Sequence, residues 1–214
     1  MLYGIRLNIL LSIMLVFGTI FMAFGIENLV YSVIFLILGG LALFAAIRYT
    51  VGGQAYGYRG LGDIMVFLFF GLLSVIGSYF LFAKQLDHVT LLPACSIGLL
   101  SAAVLNLNNM RDIKGDELAG KRTMAVKMGW AKAKRYHAFL IIAAMALGLA
   151  FGILYYTAAF NLIYLITYIP LIRHLLYVKR TEDPAALDSQ LKVLAMTTFL
   201  FALLLGVGHI YNAI

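Results

Sequence analysis

Apolar residues in this chain fall in long continuous runs, not in the alternating or three-to-four-residue patterns of soluble elements. Seven runs stand out, at 5–25, 29–47, 64–83, 91–107, 138–155, 162–172 (extended to 178) and 193–208. A helix needs roughly 20 apolar residues to cross about 30 Å of hydrocarbon, and the runs are of that order. Continuity without two-residue alternation selects helices over the strands of a membrane barrel. The pattern predicts an all-α, polytopic transmembrane helical bundle of about seven spans. The sixth run is the least regular, because Arg173 and His174 interrupt it.

Composition agrees with run length. Hydrophobic residues make up 64% of the 214 positions and charged residues 12%, where a soluble domain carries about a quarter charged residues. The net charge of +7 would suit a nucleic-acid binder, but its placement argues for no nucleic acid and for the lipid bilayer as partner. With the amino terminus in the cytoplasm, every Lys and Arg of the 16 except Lys84 falls on the cytoplasmic side. That asymmetry is what the positive-inside rule predicts. The expected location is the plasma (inner) membrane, multi-pass, amino terminus inside and carboxyl terminus outside. The first run is too long for the h-region of a cleaved signal. Cys95, the single cysteine, lies in an apolar run and reads as a buried, inert thiol.

Polar stretches concentrate on that inner side. Residues 48–63 are short, Gly-rich and aromatic, with Tyr49, Tyr56, Tyr58, Arg59 and Asp63; residues 108–137 are longest and dense in both charges. Residues 173–192 are basic, with a Glu182-Asp183-Pro184 break that predicts a helix start. If the fourth run continues as helix, Asn108, Asp112 and Asp116 recur every four residues and share a face. Two carboxylates and an amide oxygen are hard ligands that suit Mg²⁺, which completes its shell with water and substrate phosphate oxygens. Gly120-Lys121-Arg122-Thr123 follows with cations and a hydroxyl that can grip a diphosphate. The alternative is a solvated loop whose acids and bases merely balance. Position at the membrane edge, the amide one turn earlier and the cationic tail favour function.

The stretch Asn108-x-x-x-Asp112-x-x-x-Asp116, followed by Ala119-Gly120-Lys121-Arg122-Thr123, resembles the second aspartate motif of the membrane aromatic prenyltransferases of the UbiA superfamily. The loop from Tyr49 to Asp63 looks like the branch that prenylates 1,4-dihydroxy-2-naphthoate in menaquinone biosynthesis. The likeness extends through most of the chain, including Leu105-Asn106-Leu107-Asn108-Asn109 and Arg135-Tyr136-His137. The family has about nine spans and a first Asn/Asp-rich motif between its second and third helices. Here no such motif precedes Asn108, and the first run looks like the family's third helix. The resemblance therefore implies a single membrane prenyltransferase domain over 1–214, amino-terminally truncated.

The resemblance implies Mg²⁺-dependent transfer of a polyprenyl group from polyprenyl diphosphate to 1,4-dihydroxy-2-naphthoate, giving demethylmenaquinone. Asp112 and Asp116 would be the catalytic metal ligands, with Asn108 or Asn109 completing the shell. Lys121, Arg122 and Arg59 would hold the diphosphate. Tyr49, Tyr56 and Tyr58 would shield an allylic cation, or form an interfacial aromatic belt. Asp63 would orient substrate, or serve a helix dipole. His88, His137, His174 and His209 are scattered along the chain, which disfavours a histidine metal site, and Trp130 reads as an interfacial anchor. Three rivals stand beside this reading. A retinal protein would need a lysine deep in the last run, where none occurs; a carrier would bury charge mid-membrane. A CDP-alcohol phosphotransferase would place Asp-Gly and Ala-Arg pairs upstream of its aspartates, and these are missing. A catalytically inactive prenyltransferase fragment is the third.

Overall fold

The computed structural model describes residues 2–50 and 55–210, so residues 51–54 of the Gly-rich loop lie outside the described residues. All elements among the described residues are helical. Seven are long and apolar enough to cross a membrane: α1 (Arg6–Phe24), α2 (Leu29–Tyr49), α3 (Gly62–Ala83), α4 (His88–Arg111), α5 (Trp130–Leu154), α6 (Ala159–Arg180) and α7 (Pro184–Ile210). Short helical turns at Tyr56–Arg59, Ile113–Leu118 and Met124–Met128 fill the two longer connections at one end.

Packing is uneven across the bundle. The buried core joins α4 to α7 through Leu100, Leu107, Ile141, Ala144, Leu171, Leu194 and Phe201. By contrast α1 and α2 present most of their side chains outward, among them Leu15, Phe21, Val30 and Phe44. In a bilayer that outward surface is solvated by lipid, so apolar exposure costs little there. Helix association then rests on close packing and polar contacts. Gly71 of α3 meets Gly98 of α4 so closely that a Cβ on Gly71 would lie 2.5 Å from the Gly98 Cα and 2.7 Å from the Ala94 carbonyl. Around this contact α3 widens into a π-helical stretch, Phe67–Leu73. Polar ties cross the core as well: Ser96 Oγ donates to the Ala144 carbonyl at 2.7 Å, and the Tyr164 hydroxyl to the Gly148 carbonyl at 2.8 Å.

The irregular sixth run is one continuous span. It opens with 3₁₀ turns over Ala159–Thr167 and continues as α-helix from Tyr168 to Arg180. Asn161 anchors its start: its Oδ1 accepts from the Thr157 and Ala158 amides at 3.0 and 2.6 Å, and its Nδ2 donates to the Gly208 carbonyl at 3.0 Å. Arg173 and His174 do not break the helix, because successive residues lie about 100° apart around it. His174 is buried against α5 while Arg173 points outward. Pro184 starts the turn that leads into α7, with Asp183 capping it through the Ala185 amide at 3.2 Å. Cys95 is half-buried, more open than its apolar run suggested.

Candidate active site at the charged end of the bundle

The ends of α2 and α4 and the starts of α3 and α5 converge where the charged loops meet. Helix α4 stops at Arg111, and Asp112 relaxes to φ −92° and ψ 8° before a new turn begins at Ile113. Four-residue hydrogen bonding nevertheless carries across the joint, from the Asp112 amide to the Asn108 carbonyl at 3.1 Å and from the Asp116 amide to the Asp112 carbonyl at 2.8 Å. The backbone thus keeps the predicted spacing, while the side chains divide.

Asn108 and Asp112 both turn to Arg111. The guanidinium clasps Asp112 with Nε and Nη2, each at 2.8 Å, donates from Nη2 to Asn108 Oδ1 at 3.0 Å, and reaches Asp188 of α7 from Nη1 at 2.8 Å. Hydrogen bonds from Arg111 hold the Asp112 carboxyl below its usual range against the opposing effect of burial. Asp116 goes elsewhere. It is buried, and its Oδ1 accepts from Lys121 Nζ at 2.8 Å. That bond raises the Lys121 ammonium above its usual range. Asn109 is buried on the next turn of α4.

The aromatic loop folds onto this second group. The Arg122 amide donates to the Tyr58 carbonyl at 2.8 Å, and Lys127 Nζ donates to the Arg59 carbonyl. Lys121 Nζ stands 5.3 Å from the centre of the Tyr58 ring, a cation–π distance. Gly60 turns the chain here at φ +76°, and a Cβ would lie 2.9 Å from Lys127 Nζ and 3.0 Å from the Arg122 carbonyl. Only glycine fits this turn and this approach without strain. The two loops singled out in the sequence are therefore one structure.

Tyr49 lies at its centre, within electrostatic reach of Asp63, Asp116 and Lys121. Its ring packs edge-on against Tyr56 at 5.5 Å. The Tyr56 hydroxyl donates to the Ala45 carbonyl at 2.7 Å, and burial pushes it above the usual tyrosine range. Asp63, in the first turn of α3, is 3% exposed. The Tyr136 hydroxyl of α5 reaches its carboxyl, while Asp63 Oδ2 has no hydrogen-bond partner among the described residues. Arg59 and Arg122 are exposed at the rim. Beneath the group, an apolar cleft of about 700 Å³ runs between α2 and α3, lined by Tyr49, Tyr56, Met65, Val66, Phe69 and Phe70. Tyr49 and Tyr56 belong to both, so charge and cleft are continuous.

Sequence reasoning missed several partners. Tyr136 and Asp188 carry no local signal, being brought in from α5 and α7. Asn106 was legible as an amide inside an apolar run; it is fully buried, with neither amide atom bonded among the described residues. His137 and His174, distant in sequence, form a buried pair with Nε2 atoms 2.8 Å apart, and His174 Nδ1 lies 2.9 Å from Gln190 Oε1. Among the described residues no three His, Cys, Asp or Glu side chains gather as a closed metal cage.

Known proteins resemble this chain over most of its length. The chain is 42% identical over 190 residues to a 1,4-dihydroxy-2-naphthoate octaprenyltransferase of Escherichia coli (strain K12), covering 87% of this chain and 62% of that protein. It is 40% identical over 191 residues to the protein of the same name from Haemophilus influenzae, covering 89% and 62%. A 2-carboxy-1,4-naphthoquinone phytyltransferase of Synechocystis is 26% identical over 175 residues, covering 79% and 56%. The chain thus spans less than two thirds of the length of these curated relatives. No solved structure matches it significantly. The profile of the UbiA prenyltransferase family matches residues 5–205, and the chain belongs to that family.

Proposed function

We propose that this chain carries out Mg²⁺-dependent transfer of a polyprenyl group from polyprenyl diphosphate to 1,4-dihydroxy-2-naphthoate. One observation carries the reading: a cationic and carboxylate cluster, closed by two loops, opens directly onto a long apolar cleft through Tyr49 and Tyr56. A polyprenyl diphosphate has the same division, an anionic head on an apolar tail. Names and identities of the relatives support the substrate pair.

The chain's own residues divide the work. Lys121, Arg122 and Arg59 hold the diphosphate at the rim. The walls of α2 and α3 take the tail and exclude water from the reacting carbon. Tyr49 and Tyr58 present ring faces to the developing allylic cation. Tyr56 is tied to the α2 backbone and acts by positioning Tyr49. Asp63, with one oxygen unbonded, accepts a hydrogen bond from a hydroxyl of the naphthoate ring. Asp112 and Asp116, with Asn108 and Asn109, supply the hard oxygens that would hold Mg²⁺, with Arg111 and Lys121 giving up their bonds to Asn108, Asp112 and Asp116 for it. Held by these residues, Mg²⁺ would supply neutralisation of the charge on the departing diphosphate. The charged end faces the cytoplasm in this reading, with the amino terminus inside.

Prenyl transfer by the purified chain with Mg²⁺, a polyprenyl diphosphate and dihydroxynaphthoate tests the proposal. Asp116→Asn is expected to lower the rate by about 100-fold or more, the usual cost of losing one element of electrostatic stabilisation. Undiminished transfer in the Asp112→Ala, Asp116→Ala double variant would overturn it. The pairing of Asp112 with Arg111 and of Asp116 with Lys121 also favours a second reading, a chain that binds the diphosphate without transfer. Calorimetric binding of the donor with no product would select that one.

A further inference from the structure

A different feature lies on the outer face of α6. Arg173, Tyr177, Arg180, Leu176 and Thr181 line a cleft of about 470 Å³ at the charged end of that span. Tyr177 forms one wall, its hydroxyl donating to the Ala186 carbonyl at 3.3 Å across the α6–α7 turn. Among the described residues neither guanidinium takes part in an ion pair, whereas three other cations at this end do: Arg111 pairs with Asp112 and Asp188, Lys121 with Asp116, and Lys134 with Glu182.

Placement rules out the ordinary explanations. Arg180 sits in the last turn, where the helix dipole welcomes a cation, but that effect fades within one turn. Arg173 lies seven residues earlier, about 10 Å deeper along the axis at 1.5 Å per residue. It therefore projects beside the apolar part of the span. Ile169, Ile172 and Leu176 share its face and are 54%, 48% and 49% exposed, while Leu171, His174 and Val178 on the opposite face are buried. The outward face is thus an apolar stripe leading up to two unpaired guanidinia and a tyrosine. A guanidinium at that depth is costly unless it snorkels to, or pairs with, an anion at the interface.

We propose that this cleft binds an anionic phospholipid: Arg173 and Arg180 grip the headgroup phosphate, and the Ile169–Ile172–Leu176 stripe seats an acyl chain. The lipid supplies the only parts the face lacks, a negative charge at the height of the guanidinia and hydrocarbon below. Arginine suits the role because its planar fork pairs with phosphate oxygens through two parallel hydrogen bonds. This site is separate from the α2–α3 cleft and does not depend on the proposed reaction.

Native mass spectrometry of the detergent-purified chain with phosphatidylglycerol or phosphatidylcholine at equal concentration tests the assignment. Retained phosphatidylglycerol is expected, with little phosphatidylcholine. The Arg173→Gln, Arg180→Gln variant is expected to weaken retention by about tenfold or more, as two interfacial cations should. Lys132→Gln with Arg135→Gln, exposed cations at the same end but off the cleft, should leave it unchanged. Equal retention of the two lipids, or equal weakening by both double variants, would overturn the site. Full competition by soluble glycerol 3-phosphate would also overturn it, reassigning the arginines to a free phosphate. The lipid comparison and the competition use the unaltered chain, so they stand even where a variant fails to fold.

Discussion

Asp63 is the residue whose two readings are easiest to separate. A carboxyl serving only the helix dipole belongs at an exposed first turn, yet this one is buried, with Tyr136 on one side and an unbonded oxygen on the other. Leaving a buried polar atom unsatisfied costs about 1–3 kcal/mol, which a substrate hydrogen bond would offset. Asp63→Asn keeps the shape and loses the charge. It is expected to lower transfer by at least tenfold while helical content and thermal unfolding stay close to those of the parent, as circular dichroism would show. Unchanged turnover with a lowered unfolding temperature would instead mark a purely structural acid. Nothing in the sequence around Asp63 announced its burial, because its neighbour Tyr136 comes from a helix start far along the chain.

The histidine pair makes a sharper energetic point at the same scale. With Gln190 Oε1 accepting from His174 Nδ1–H, a neutral His174 offers Nε2 as acceptor to His137 Nε2–H, and His137 Nδ1 has no partner among the described residues. His174→Leu strands a donor on His137 and an acceptor on Gln190, and should cost about 1–3 kcal/mol. Replacing both histidines by leucine removes that penalty. The double variant is expected to be destabilised by less than the sum of the singles, as measured by detergent-induced unfolding. Strict additivity would show that the two rings are not coupled.

At the level of elements, the seven spans were legible because run length alone decides whether a helix can cross a bilayer. Their partners were not legible, because lipid-facing and helix-facing surfaces are equally apolar and leave no periodic stripe. The α3–α4 contact illustrates the difference. Gly71 and Gly98 look unremarkable in sequence, but they are where the two backbones touch. A Cβ on Gly98 would lie 2.9 Å from the Phe67 carbonyl and 3.1 Å from the Gly71 Cα. Gly98→Val is therefore expected to destabilise the bundle by about 1–3 kcal/mol, the usual cost of overpacking, seen as unfolding at lower denaturing-detergent fraction. Gly77, whose nearest neighbour lies 3.8 Å from such a Cβ, should tolerate alanine. The candidate site was half legible for a related reason. Asp112 and Asp116 sit at their predicted spacing, but their separate partners Arg111 and Lys121 emerge only once the chain bends after Arg111.

For the whole molecule, orientation is the testable property. Positive charge gathers at one end of the bundle, where Arg111–Asp188 ties α4 to α7 and Lys134–Glu182 ties α5 to the α6–α7 connection. In a Cys95→Ala background, a cysteine at Lys132 should label in intact cells only after permeabilisation. One at Leu86, exposed between α3 and α4, should react with an impermeant maleimide directly. The reverse pattern would invert the topology.

The joining of the two loops has a consequence for how the protein is made. The Arg59 carbonyl and the Lys127 amine that meet it are 68 residues apart, and at about 5–20 residues per second the ribosome needs several seconds to span that gap. During that interval the aromatic loop has left the ribosome with only α2 to fold against, and α3 and α4 are being threaded into lipid. The charged cluster that joins the two loops is thus absent from every nascent chain shorter than its second loop. It can close only when Lys121 to Lys127 arrive, so a translational pause just before that segment would lengthen the life of the unclosed loop.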